Sequence, residues 1–365
     1  MPARATRLAW QDVPLNRLLL PKGELLTTLG FGSGLTCTAG QVFAVTDRGP
    51  NLFISQAMEL GLSHLAPLQA TDGAKVMPWP EQGPEIVALR VADGALRVEQ
   101  RMQLRTQSGQ RLSAAAPAGA TMEALFGLTG APLAASPLGA DTEAIAALPD
   151  GGFFVAEEYV PSLLKVDARG VVTERWVPAG LEAGVQHPDI VVRSVLPERI
   201  GRRRLNRGIE ALCASPDGRH LYVGLQSAPE DEDARFPPVW ILDAATGACV
   251  GEFSYPFDAP ETFRRDAQRR KVSEADLKIC EFAWLAGVRL LVLERIAHTT
   301  KLYAFDLVSG GKELVLSSDD VPEIGPDMEG MTLVSDREIL LVSDNDFGAE
   351  GAATEAWLVT LDRAI

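Results

Sequence analysis

Four glutamates recur at matching points of the chain: Glu143, Glu210, Glu281 and Glu329. Each opens an apolar run of strand character, and each run turns back through a short polar turn into a second apolar run. The second runs close on more acid, at Glu157, Glu158, Glu294, Asp344 and Asp346, and Asp47 closes an earlier copy. Carboxylates gathered without histidine or cysteine select hard cations that take oxygen ligands. Ca²⁺ is the expected ion, with Mg²⁺ the alternative, because oxygens at loop ends form an irregular and roomy shell. The expected ligands are Asp47, Glu143, Glu158, Glu210, Glu281, Glu329, Asp344 and Asp346.

Arginines accompany these acids. Arg48 follows Asp47, Arg295 follows Glu294, and Arg207 lies three residues before Glu210. A divalent ion among carboxylates, with guanidinium groups alongside to clamp an oxyanion in bidentate fashion, suits a phosphate ester. The expected catalytic set is Glu210, Glu329, Arg48, Arg207 and Arg295. For any single glutamate a structural role competes, since a strand-opening carboxylate can bind backbone amides of a neighbouring sheet. Scattered Ser33, Ser55 and Ser343 have no histidine at a triad spacing. "GFGSG" (Gly30–Gly34) has no GK[ST] after it and no helix to follow, which argues against a phosphate loop.

The positioning elements are legible as a repeat. "DTEAIAALPDGGFFVAEEY" (Asp141–Tyr159), "RGIEALCASPDGRHLYVGLQS" (Arg207–Ser227), "ICEFAWLAGVRLLVLER" (Ile279–Arg295) and "PDMEGMTLVSDREILLVSDND" (Pro326–Asp346) share one plan. A fifth copy, "GSGLTCTAGQVFAVTDRGPN" (Gly32–Asn51), has Gly34 where the others are aligned on Glu. A third strand and usually a fourth follow each hairpin, as in "VWILDAATGACVGEF" (Val239–Phe253). Units of about four strands that cannot bury their faces alone are propeller blades. The expected fold is therefore an all-β propeller of five four-stranded blades, or six if Leu96–Ala140 hides a degenerate copy. The last unit has three strands, and the segment around "TRLAWQDV" would supply the fourth and close the ring. One domain would span 1–365, with inserted loops at about 66–85, 108–140, 228–238 and 257–278. The first strand of each blade lines the channel, so the repeated acids would meet at one mouth.

Bulk properties limit the partners. The 365 residues carry 34 Lys+Arg against 49 Asp+Glu, a net charge of −15, which opposes binding to nucleic acid or an anionic membrane. There is no apolar run long enough to span a bilayer. The N-terminus has no continuous apolar segment of signal-peptide type, so the expectation is a cytoplasmic chain. Cys37, Cys213, Cys249 and Cys280 show no CxxC spacing and read as small buried residues.

"DRGPN" (Asp47–Asn51), "DTEAIAALPDGGFFVAEEYVPSLLKVD" (Asp141–Asp167), "NRGIEALCASPDGRHLYVGLQS" (Asn206–Ser227) and "DMEGMTLVSDREILLVSDNDFG" (Asp327–Gly348) together resemble the phytase-like family, also described as having esterase-like activity of phytase. The resemblance runs from about Leu29 to Leu361. It implies a β-propeller, often secreted or periplasmic, with phosphoesterase activity. The matching residues are Asp47, Arg48, Asn51, Glu143, Glu158, Tyr159, Arg207, Glu210, Asp327, Glu329, Asp344 and Asp346. No counterpart of the "DDPAIW" segment of the calcium-dependent propeller phytases is present, which argues against phytate as substrate. The expected function is a metal-dependent hydrolase of small phosphoric esters. Two alternatives stand beside it. One is a lactonase-like propeller hydrolase, for which Asn51, Asn206 and Asn345 are metal-site candidates. The other is a non-catalytic binding or scaffold propeller.

Overall fold

The apolar runs form five antiparallel sheets in chain order. The computed structural model describes residues 3–349 and 351–365. The first sheet comprises Gly34–Thr38, Gln41–Val45, Glu85–Ala92 and Ala95–Gln103. The second comprises Thr142–Ala147, Phe153–Glu157, Ser162–Val166 and Val172–Pro178, and Val191–Leu196 adds to it in parallel. The third is Ile209–Ala214, His220–Leu225, Pro238–Asp243 and Cys249–Ser254. The fourth is Lys278–Leu285, Arg289–Arg295, Thr300–Asp306 and Lys312–Ser317. The fifth is Met328–Leu333, Glu338–Ser343 and Ala356–Leu361, with Ala3–Arg7 paired antiparallel to Ala356–Leu361.

The opening strand of each sheet packs on that of the next, and the fifth packs on the first. A separate apolar cluster fills the space between each neighbouring pair. Phe154, Trp176 and Trp240 lie between the second and third sheets, and Leu35, Val87 and Leu340 between the first and fifth. Because the sheets are covered on both faces, their middle strands are apolar throughout rather than alternating. Phe153–Glu157 is buried at all five positions. This is a β-propeller arrangement.

Four of the opening strands carry a β-bulge near their start. The pairing jumps from Thr142 to Ala144, from Ile209 to Ala211, from Ile279 to Glu281 and from Met328 to Gly330. The extra residues are therefore Glu143, Glu210, Cys280 and Glu329. A bulge inserts one residue and re-aims its side chain, so simple alternation, which groups Glu143 with Ile145 and Ala147, does not hold here. The true frame places Glu281 level with Ala144, Ala211 and Gly330, one residue from the position assumed by aligning glutamates.

That level is where the opening strands crowd together. A Cβ on Gly34 would stand 2.7 Å from the Ala144 Cα, and one on Gly330 2.8 Å from the Gly32 carbonyl oxygen. Small residues in four sheets leave room for one large side chain from the fourth. The "GFGSG" run has the same explanation: a Cβ on Gly32 would lie 2.3 Å from the Ser343 carbonyl oxygen. Gly30 and Gly32 allow close approach to residues 343–347, and Gly34 allows close approach to the second sheet.

The long inserts gather into a cap. Leu52–Phe53, Lys75–Val76 and Leu125–Phe126 form a small sheet. It shares an apolar cluster with helix Ile54–Glu59 and with the hairpin Pro14–Leu20 and Gly23–Thr28, a hairpin the sequence pattern did not announce. Within Leu104–Ala140 the only strand among the described residues is Leu125–Phe126. The 257–278 insert contains the short helix Arg264–Ala267, whose buried Asp266 accepts the backbone amides of Ala297, His298 and Thr299.

Candidate functional site

A polar cleft of about 210 Å³ opens where the bulged glutamates Glu143, Glu210 and Glu329 converge. Asp47, Glu143, Glu158, Glu210, Glu329, Asp344 and Asp346 all line it. The sequence-derived set is thus brought together, with one exception. Glu281 lies off the cleft and is fully buried. Its Oε2 accepts the Leu35 amide at 2.7 Å and its Oε1 the Phe282 amide at 3.2 Å, and the amides of Met331 and Leu212 also point to it. It ties together the opening strands of four sheets, the structural role that competes for any single strand-opening glutamate.

The tightest group is Asp141, Glu143 and Glu158, which each offer an oxygen within 4.8 Å of the others. Asp141 immediately precedes the second sheet, and Glu143 stands on its bulge. Glu158 follows the second strand, and its Oε2 accepts the Gly208 amide at 3.1 Å. Its neighbour Glu157 turns the other way and is consumed by Arg175, Ser162 and the amides of Tyr159 and Val160. Across the cleft, Asp47 caps the Gly49 amide at 2.7 Å, and Asp344 accepts the amide of Asp346 at 3.2 Å. Asn206, Asp327 and Asp346 adopt left-handed φ angles of +51°, +52° and +46°. Such strain in non-glycine residues is held only by surrounding structure and collects at functional sites.

Burial and mutual repulsion raise these carboxyls. Glu210 is pushed up to about 8 by burial and then by Glu158. Glu158 is raised to about 7 by burial and then by Asp141, with Arg203 and Arg48 opposing. Burial, then Asp346, lifts Asp344 to about 7. Glu143 is held well above the usual carboxylate range by burial, Glu210 and Asp141, and Asp47 likewise by burial, Asp141 and Asp344. Five acids in one cleft therefore need protons or added positive charge.

The arginines are partly committed. Arg48 is buried and pairs with Asp141 at 3.0 Å and Glu123 at 3.5 Å, and its guanidinium lies over the Tyr159 ring. Arg295 donates to Glu329, to Asp327 at 2.9 Å and to the Cys280 sulfur at 3.1 Å. Arg207 donates to the Leu277 carbonyl at 3.0 Å. Of the three, only Arg48 lines the cleft itself.

Several cleft residues were not among the expected site residues: Asp141, Lys75, Gln226 and Lys278 line it, as do Asn51 and Asn206, expected only for the lactonase-like alternative, and Glu123 braces Arg48 and Asn206 from the cap. Asp141 had a signal, since Asp-x-Glu recurs at Asp141–Glu143 and Asp327–Glu329. Lys75 and Glu123 had none, because they come from inserts outside the repeat.

Residues 27–347 match the family model described as Phytase-like, esterase-like activity of phytase. The chain belongs to that family. No curated protein matches it. Among solved structures, the major Malassezia sympodialis allergen Mala s 1 is 12% identical, with 94% of this chain and 80% of that chain covered and a TM-score of 0.39. The Cps50 (Swd1) β-propeller domain of Myceliophteria thermophila is 10% identical over 99% and 100%, with a TM-score of 0.39. An exo-β-1,3-galactanase of Phanerochaete chrysosporium is 7% identical over 95% and 64%, with a TM-score of 0.43.

Proposed function

We propose that this phytase-like chain is a divalent-cation-dependent hydrolase of small phosphoric esters, with its active site in the acidic cleft. The observation that carries the reading is the convergence of Asp141, Glu143 and Glu158 within 4.8 Å, beside Asp47 and Asp344, whose carboxyls repel one another. The donors fit a hard ion: they are oxygens only, and their raised proton affinity is what a divalent cation relieves. Asp47, Asp141, Glu143 and Glu158 would hold it, with Asp344 and Asp346 facing them, and Ca²⁺ is the ion we favour. When bound, such an ion supplies Lewis acidity toward a phosphoryl oxygen and lowers the pKa of water.

The chain's own groups divide the remaining work. Arg48 is held by Asp141 and Glu123 at the cleft wall, so it orients acids and adds positive charge at a fixed place. Burial and then Glu158 raise the Glu210 carboxyl in the metal-free cleft, and in this reading Glu210 is the group that donates a proton to a leaving oxygen. Glu329, anchored by Arg295, stands at the rim. The five sheets, each packed on the next, support a single domain of five blades closed by Ala3–Arg7.

Phosphate release from a panel of phosphomonoesters and diesters, with calcium and then with chelator, tests the reading. Turnover that needs the cation and is lost in Glu143→Gln is expected. No release from any ester, with no rise in melting temperature on adding calcium, would sink it and favour a non-catalytic propeller. Asn51 and Asn206 line the same cleft, so a lactone panel run in parallel tests the lactonase-like alternative.

A further inference from the structure

The fourth sheet reverses the charge pattern of the others. At the bulge and two residues before it, the second and fifth sheets carry Asp141-x-Glu143 and Asp327-x-Glu329, and the third carries Gly208-x-Glu210. The fourth carries Lys278-x-Cys280. A lysine and a cysteine thus stand where the second and fifth sheets carry two carboxylates.

The consequence is a cation on the fourth-sheet side of the cleft, in addition to Arg48 and Lys75. Lys278 lines it, and among the described residues no carboxylate lies within ion-pair distance of its Nζ. Burial, then Arg295, disfavours its charge and Arg207 adds to the repulsion, while Glu210 of the same cleft favours it. Arg207 spends a donor on a carbonyl rather than an acid. Arg295 is the best compensated of the three, through Asp327 and Glu329. Beside them is Gln226, 5% exposed, whose Oε1 is buried without a partner while its Nε2 faces the Cys280 sulfur. A buried acceptor left open is unfavourable unless a ligand fills it.

We propose that Lys278, backed by Arg207 and Arg295, is an oxyanion subsite that receives the phosphoryl group of the substrate, and that Gln226 accepts a hydroxyl of its alcohol portion. The proposal rests on the ester-hydrolase reading and narrows it to phosphomonoesters whose alcohol portion carries a free hydroxyl. A dianionic phosphoryl group answers more of the excess positive charge than a carboxylate does, and lysine serves phosphate as a point charge. The carboxylates of the same cleft keep anions from settling among them without a cation. The ester thereby enters with its phosphoryl end toward the fourth sheet.

Calorimetric titration of inorganic phosphate into the full chain, with magnesium present, tests the subsite apart from turnover. Lys278→Met should weaken phosphate at least tenfold, while Lys271→Met, at an exposed site, should leave it unchanged. Lys278→Arg, which keeps the charge if methionine harms folding, should retain most of the affinity. Gln226→Leu should spare inorganic phosphate but weaken glycerol 2-phosphate, and acetate should not compete. Unchanged phosphate affinity in a folded Lys278→Met protein, or acetate binding as tightly as phosphate, would overturn the subsite. Phosphate binding that follows Lys278 without turnover of any ester would fail the hydrolase reading and leave the subsite standing. Undiminished turnover by Lys278→Met would do the reverse.

Discussion

Replacing Glu210 by glutamine should stabilise the metal-free protein, and the gain should grow with pH. Glu210 is 5% exposed and its carboxyl is raised from 4.5 to about 8 by burial and by the nearby Glu158. The unfolded chain loses this proton near its ordinary value, whereas the folded chain keeps it until about pH 8. Between those limits the folded state binds the extra proton, so stability is complete below about 4.5 and falls as pH rises. Glu158 and Asp344, each raised to about 7, act in the same direction. At pH 7 the gap for Glu210 is about 2.5 units, worth up to about 3 kcal/mol at about 1.4 kcal/mol per unit. For 365 residues the entropy of unfolding is about 0.8 kcal/mol per kelvin, so this corresponds to about 4 °C. Thermal melts in chelator at pH 5, 6, 7 and 8 give the assay. The parent protein should lose stability across the series, and Glu210→Gln should lose less, with the two curves meeting near pH 5. A parent curve that rises with pH, or a variant that is less stable at pH 8, would refute the reasoning.

Other substitutions separate framework from site. Arg175→Met should cost about 3–5 kcal/mol in urea unfolding, because it strands fully buried Glu157 without its partner. Gly32→Ala should lower the melting temperature by several degrees, since its Cβ would meet backbone 2.3 Å away and no side chain can yield. Glu281→Ala should destabilise by about 3 kcal/mol or more by orphaning the Leu35 and Phe282 amides and emptying the space among the opening strands. The same variant should keep any calcium-induced rise in melting temperature, which Glu143→Gln should lose.

Much of this molecule can be read from one dimension. The repeated pairs of apolar runs, their polar turns and the acids at their ends specify hairpins and gather seven acids at one mouth. That inference works because a propeller repeats one hairpin geometry, so equal positions in sequence become neighbours in space. The four aligned glutamates, however, were not equivalent. A bulge adds one residue to a strand without any mark in composition, and the frame of the fourth copy turns on whether Cys280 or Glu281 is the extra residue. Pairing with Arg289–Arg295 decides it, and with it which acid holds sheets together.

The adjacent Glu157 and Glu158 show the same division. Sequence puts two acids at a strand end, but only tertiary packing sends the first to Arg175 and the second to Asp141 and Glu143. Glu123 and Lys75 reach the site from a cap built of non-repeating inserts, for which no periodicity exists to be read. Local pattern therefore determined the strands, their order and the acidic character of their ends. Register and long-range packing, which depend on partners far along the chain, decided which of those charges face one another.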